Sequence, residues 1–196
     1  MKDYPDKSNG YDSIAEHFMR ARKTSIGLAT VLRWSRFLNP NSTILELGCG
    51  HGVISQVLID QGFGLYAIDA SPRLLHAFRE RFPSVPTECS AIEESSFFHR
   101  SFDAVIAWGL IFLMPVELQK IALSKSANAL NPGGQLLFTS PQHNVQWTDS
   151  LTNLEAVSLG AEAYEKLLNI NGLTVIDHDT DEGDNFYYIA QKPAKG

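Results

Sequence analysis

Basic residues are scarce in this chain. Lysine and arginine number 16 against 22 acids, a formal net charge of −6 with the histidines neutral. That balance is unfavourable beside a phosphate backbone, so no nucleic-acid partner is expected. Cysteine is nearly absent as well. Cys49 and Cys89 cannot form a disulfide framework, and neither has a neighbour at metal-ligand spacing. Both read as reduced thiols of a cytoplasmic protein, and no metal site is expected. No apolar run is long enough to span a bilayer. The opening Met1-Lys2-Asp3-Tyr4-Pro5-Asp6 lacks the apolar centre of a signal peptide, so no membrane association is expected either. Internal repeats and low-complexity tracts are missing too. The 196 residues suffice for one domain with a substantial core and are too few for two full-sized ones.

What the chain does have is Ile44-Leu45-Glu46-Leu47-Gly48-Cys49-Gly50-His51-Gly52. A short buried strand, Ile44 to Leu47, breaks here into a glycine-rich turn, and a helix opens at Val53. Glycines at alternate positions permit unusual torsions and leave no side chains above the turn. The helix N-terminus just beyond adds unpaired N–H groups and positive partial charge. Such a turn by itself fits a tight αβ connection or a dinucleotide site. Glu46 changes the balance: an acid at the strand's carboxyl end repels a pyrophosphate and suits a ligand carrying an ammonium group and a sulfonium.

Around this centre the pattern alternates. Residues 1 to about 9 are polar. From Tyr11 to about Leu38 the spacing of Ile14, Phe18, Ile26, Val31 and Trp34 predicts one or two amphipathic helices. Helix Val53–Gln61 is followed by strand Gly64–Asp69, then by helix Pro72–Phe82 with Ser71 as its N-cap. Strands Val85–Cys89 and Phe102–Trp108, helix Pro115–Leu130, an Asn131–Gly134 turn and strand Gln135–Thr139 complete the alternation. This predicts right-handed crossovers and an α/β fold, a doubly wound, mostly parallel sheet covered on both faces. The tail departs from it. Helix Tyr164–Asn169 and strand Leu173–Ile176 precede a last strand, Phe186–Ala190, after a loop too short for anything but antiparallel pairing.

The acid, apolar residue and Gly-x-Gly-x-Gly run resembles the first motif of the class I S-adenosylmethionine (SAM)-dependent methyltransferases of small-molecule type. The antiparallel final strand is also a feature of that family and not of ordinary dinucleotide domains. The resemblance implies a seven-stranded sheet, an N-terminal helical lid over residues 1–38, and a methyltransferase domain over residues 39–196. It implies SAM as cofactor, with S-adenosylhomocysteine as its product. In an open sheet of this kind the ligand sits outside the strands' carboxyl ends. The cofactor set is then Tyr11 and Arg22 from the lid; Glu46, Gly48, Cys49, Gly50 and Gly52 from the first turn; Asp69, Ala70 and Ser71; Ser90, Ala91 and Ile92; and Trp108 with Gly109. Asp69 is placed to accept from both ribose hydroxyls, or alternatively to cap the helix at Ser71-Pro72. Arg20 and Arg22 are each within reach of the cofactor carboxylate, or are solvated. Ser90 departs from the family, which often has an acid there. The Trp108 ring either stacks on the methionine moiety or fills core. Glu93 and Glu94 read as a solvated first helical turn.

For the acceptor side, Ile111 to Met114 offer an apolar wall, with Phe112 as a substrate contact. The segment Ser140–Leu159 reads as a long, functional loop carrying His143, Trp147 and Asp149. His143 is the candidate general base, against the alternative of a solvated loop histidine. Asp184 and Tyr187 are further substrate candidates. They lie at an acidic exit loop that either attracts an amine-bearing substrate or simply blunts an edge. No Asn-Pro-Pro-Tyr-like tetrad follows the fourth strand at Trp108-Gly109-Leu110-Ile111, which argues against methylation of exocyclic base amines or glutamine. The expected function is methyl transfer to O or N of a small metabolite or natural-product intermediate by a monomer or homodimer. The rivals are a nicotinamide-dependent oxidoreductase and a SAM-binding regulatory module without turnover.

Overall fold

The computed structural model describes residues 6–22 and 25–194. Two helices, α1 (Ala15–Ala21) and α2 (Leu28–Ser35), lead into β1 (Thr43–Leu47), α3 (Val53–Asp60), β2 (Gly64–Asp69), α4 (Pro72–Arg81) and β3 (Thr87–Cys89). Then come β4 (Phe102–Ala107), α5 (Val116–Ala129), β5 (Leu130–Thr139), β6 (Asn144–Thr148), β7 (Glu155–Leu159), α6 (Ala161–Ile170), β8 (Thr174–Thr180) and β9 (Phe186–Gln191). The main sheet has seven strands in the order β3-β2-β1-β4-β5-β9-β8. All neighbours are parallel except at β9, which runs antiparallel to both β5 and β8. The predicted α/β sheet with one antiparallel strand is therefore what forms.

Period-two alternation explains why these strands are apolar throughout. In β4, Ala104 and Ile106 join the core beneath α2, α3 and α4, while Val105 and Ala107 join the core beneath α5 and α6. Tyr187 and Ile189 of β9 face the first core, and Tyr188 and Ala190 the second. Helix α4 starts as its sequence dictates: Ser71 Oγ accepts from Leu74 N at 3.1 Å, with Pro72 in the first turn.

Four features differ from the expectations. Ser140–Leu159 is not a structureless loop: β6 and β7 pair antiparallel as a separate two-stranded sheet. The stretch Asn131–Gly134 is not a free turn, because it lies within β5 and Gly133 N donates to Lys192 O at 3.0 Å. Strand β8 runs on to Thr180, so His178 and Asp179 lie within the sheet and the exit loop shrinks to 181–185. Glu93 and Glu94 sit in a turn and open no helix. Among the described residues, no helix is long and apolar enough to cross a membrane.

Candidate active site

The strand order reverses between β1 and β4, and a cavity of about 500 Å³ opens outside the carboxyl ends of the strands there. It is built from the turn after β1, the ends of β2, β3 and β4, the segment 6–22 and the β6–β7 hairpin. Gly52 closes the first turn at φ 85°. A Cβ there would lie 2.3 Å from the Phe82 ring, so no larger residue fits without displacing α4's end.

The turn's own amides are mostly engaged. Gly48 N and Cys49 N donate to Ile68 O at 2.8 and 3.1 Å, Gly50 N to Asp69 Oδ2 at 2.7 Å, and Gly52 N to Cys49 O at 2.9 Å. A pyrophosphate needs such donors free, so the geometry opposes the dinucleotide reading. Asp69 is fixed at both oxygens, since Oδ1 accepts from Ser71 N at 2.8 Å. Each oxygen keeps a lone pair for a ligand hydroxyl. The cap-forming and ligand-accepting readings of Asp69 are thus compatible. Burial pushes its carboxyl up to about 6, against the pull of the two backbone bonds.

Glu46 is 2% exposed, and its Oε2 accepts from Ser55 Oγ at 2.6 Å. Its other oxygen has no partner among the described residues. Burial raises this acid to about 8, the Ser55 bond opposing and the Asp69 charge adding. Arg22 supplies the opposite charge. Its guanidinium lies 4.4 Å from the Trp108 ring centroid, and among the described residues no carboxylate stands within ion-pair distance of it. Arg20 does not share this position: it is exposed and lies 3.9 Å from Glu16. Between the two arginines offered by the sequence, the fold brings only Arg22 to the cavity.

Of the expected cofactor residues, Tyr11, Arg22, Glu46, Gly48, Cys49, Gly50, Asp69, Ala70, Ser90, Ala91, Ile92, Trp108 and Gly109 line this cavity. Gly52 and Ser71 stand behind it, the first shaping the turn and the second capping α4. The Trp108 ring lines the cavity and packs against the core beneath α2, α3 and α4, and its Nε1 donates to the buried Tyr187 Oη at 2.7 Å.

The acceptor candidates fare differently. Phe112 lines the cavity, with Trp147 packed on it at 5.5 Å between ring centroids. His143 is exposed beside the start of β6 and does not reach the cavity, because the hairpin turns its flank to solvent. Tyr187 is fully buried in the sheet and donates to Asp181 Oδ2 at 2.7 Å. Asp184 is exposed and outside the cavity. The acidic exit loop is largely satisfied internally. Asp181 takes bonds from Tyr187, Gly183 and Asn185, Asp179 pairs with Arg33 at 2.5 Å, and Glu182 accepts from Gly27 N at 3.3 Å.

Several residues that matter here carried no legible signal. Asp12 Oδ1 accepts from Ser71 Oγ at 2.6 Å and from Arg73 N at 2.9 Å, tying the N-terminal segment to α4. Asn9 Nδ2 donates to Leu113 O at 2.8 Å, and Lys7 pairs with Glu94. Each contact joins residues at least 59 positions apart, which no local pattern encodes.

Residues 44–134 match the family described as a methyltransferase domain. A malonyl-[acyl-carrier protein] O-methyltransferase of Anoxybacillus flavithermus is 32% identical over 109 residues, covering 54% of this chain and 41% of that one. Among solved structures, a 1,6-didemethyltoxoflavin N1-methyltransferase of Burkholderia thailandensis, with 1,6-didemethyltoxoflavin and S-adenosylhomocysteine bound, aligns with a TM-score of 0.77. It is 14% identical over 93% of this chain and 85% of that one. The N-methyltransferase NodS of Bradyrhizobium japonicum, solved with S-adenosylhomocysteine, aligns with a TM-score of 0.74 at 21% identity, over 94% of this chain and 99% of that one. Sheet order and family match together define a Rossmann-like methyltransferase domain. Residues 44–134 thus carry a methyltransferase domain, set in a fold shared with these SAM-dependent enzymes. It spans about two fifths to half the length of the curated relatives it matches.

Proposed function

We propose that this protein transfers the methyl group of SAM to oxygen or nitrogen of a small acceptor. One observation carries the reading: Arg22, without an ion-pair partner among the described residues, and buried Glu46, with one oxygen unpartnered among them, line the same cavity. That pair complements a zwitterion, the guanidinium taking a carboxylate and Glu46 an ammonium. Asp69 adds acceptors for a diol, and Ala70, Leu74, Ile92 and Leu110 offer apolar surface for a planar base. An amino-acid arm, a ribose and an adenine are the three parts of SAM, and the bound S-adenosylhomocysteine in relatives of the same fold supports the assignment.

Once bound, the cofactor supplies an already activated methyl group on a sulfonium. The chain's own task is alignment and the exclusion of water, which at best is worth about 7–11 kcal/mol. Tyr11, Phe18 and Arg22 press on the cavity from the segment Asp6–Arg22, which Asp12, Asn9 and Lys7 tie across the strand ends. We assign this segment as the lid. A cavity of about 500 Å³ shared by cofactor and acceptor fits a small-molecule acceptor, and the net charge of −6 disfavours a nucleic acid.

Calorimetry with S-adenosylhomocysteine and with NADH tests the reading. Binding of the first and not the second is expected, and the reverse would overturn it. Turnover of SAM against amines, phenols and carboxylic acids then separates an enzyme from a silent SAM-binding module.

A further inference from the structure

We infer that Asp149 is the acceptor-recognising residue of this site and that the acceptor is an apolar amine. The inference rests on the SAM-dependent reading above and narrows it from oxygen or nitrogen to nitrogen.

Asp149 follows β6 at the tip of the hairpin and lines the cavity. Its carboxylate is held at one oxygen alone. Oδ2 accepts from Tyr11 Oη at 3.3 Å, from Thr152 N at 3.0 Å and from Thr152 Oγ1 at 2.7 Å. Oδ1 has no partner among the described residues, and no cation there lies within ion-pair distance of Asp149. Three donors thus fix the group's orientation while half of its acceptor capacity stays open. The cavity wall also offers apolar surface from Phe112, Leu113, Met114, Leu118 and Leu151, with Trp147 backing Phe112, beside the polar Asn9 held on Leu113 O.

The hairpin is a rigid mount. Gln119 of α5 donates from Nε2 to Val157 O at 2.9 Å and to Met114 O at 2.8 Å, and accepts from Tyr164 Oη at 2.7 Å. Ser158 Oγ donates to Pro141 O at 2.6 Å. Gln119, Tyr164 and Ser158 are all fully buried, so the hairpin base is locked to α5 and α6 by a satisfied polar network. A carboxylate carried on such a mount keeps its place relative to the cavity.

The chemistry selects nitrogen. A neutral amine forms the N–C bond with its lone pair as the C–S bond breaks, the bonding electrons leaving with sulfur. Positive charge thereby moves from sulfur to nitrogen, and the surplus N–H proton departs to solvent afterwards. A fixed carboxylate beside that nitrogen is favourable where positive charge grows. The same carboxylate repels a phenolate or carboxylate nucleophile. Tyr11 belongs to both halves: its ring lies edge-on to Phe18 at 5.2 Å, and its hydroxyl meets Asp149.

The test uses the full chain saturated with S-adenosylhomocysteine. Benzylamine, phenethylamine and tryptamine are titrated against the matched alcohols and carboxylic acids, followed by calorimetry, with wild type and Asp149→Asn compared. The amines are expected to bind at least tenfold tighter than their partners, and Asp149→Asn to erase that preference while leaving S-adenosylhomocysteine affinity unchanged. Asn can still accept from Tyr11 and Thr152, and Asp149→Glu, which keeps the charge, should retain a preference for amines. Binding of alcohols or acids in preference to amines, failure of every amine to bind, or an amine preference that survives Asp149→Asn would each overturn the inference. Failure of S-adenosylhomocysteine itself to bind would instead sink the SAM-dependent reading.

Discussion

The two halves of the cavity are built by opposite strategies. The half between β1 and β4 is made of strand ends and the turns that follow them, so its residues come in short sequence blocks whose backbone is fixed by the sheet. Gly48, Cys49 and Gly50 lock onto Ile68 and Asp69 one strand away. The other half is made of the β6–β7 hairpin and an N-terminal segment, which are far apart in the chain. They meet through Tyr11–Asp149, 138 residues apart. The first half carries two acids raised by burial, Glu46 and Asp69. The second sets Asp6, Lys7, Arg22 and Asp149 among the apolar side chains of Phe18 and Leu151. A scaffold half of this kind can serve one invariant ligand, whereas the appended half is free to differ from protein to protein.

The largest expected effect falls on the scaffold half. Asp69→Ala frees two backbone donors and removes the diol acceptors. Charge-assisted bonds are worth about 1.5–3 kcal/mol each, so S-adenosylhomocysteine affinity should fall at least about tenfold. Unchanged affinity by calorimetry would mean that the half between β1 and β4 is not the cofactor half. Next comes Arg22→Met, which should cost about tenfold in the same measurement, while Arg20→Met should cost nothing detectable. Equal effects from both would dissolve the distinction drawn between the two arginines.

A subtler effect concerns protons. The acids at about 8 (Glu46) and about 6 (Asp69) lie above their unfolded values of 4.5 and 3.8. Stability contributed by such groups is complete below the unfolded values and is lost as pH rises through the folded ones. The ligand-free protein should therefore melt at falling temperature from about pH 5 to about pH 8. Glu46→Gln, compared with wild type, isolates the share of that acid. An ammonium group beside Glu46 favours its charged form, so S-adenosylhomocysteine affinity should rise over the same interval and the slope should flatten in Glu46→Gln. A variant with the wild-type slope would detach Glu46 from the ligand.

The smallest effect is expected at His143. Its imidazole is exposed and off the cavity, so His143→Ala should leave turnover within about twofold, near the range of ordinary surface substitutions. A large loss of activity would show that the hairpin moves to bring this side chain inward.

These contrasts also explain what could be read in advance. The β1 turn was legible because its message is local: apolar strand, acid, spaced glycines and helix start lie in a dozen residues. The hairpin was illegible because its strands lack the usual alternation. In β6 four of five residues are exposed, and the inward positions of β7 are Ala156 and Ser158, too small or polar to mark a strand. His143 looked free because the hairpin around it was invisible. The acidic exit loop reads equally as a substrate rim or as an edge-blunting hairpin in sequence because the partners of Asp179, Asp181 and Glu182 come from α2, β9 and Gly27.

Composition and local order by themselves determined the layered α/β sheet, the antiparallel last strand and the acids at the ends of β1 and β2, since burial on both faces and turn chemistry act over short stretches of chain. Only the tertiary structure decided which arginine meets the cavity, that Asp12 holds the N-terminal segment to α4, and that Asp149 and not His143 stands inside. Those outcomes depend on which distant segments pack together, and packing is a property of the whole fold, set once the two cores have closed on either side of the sheet.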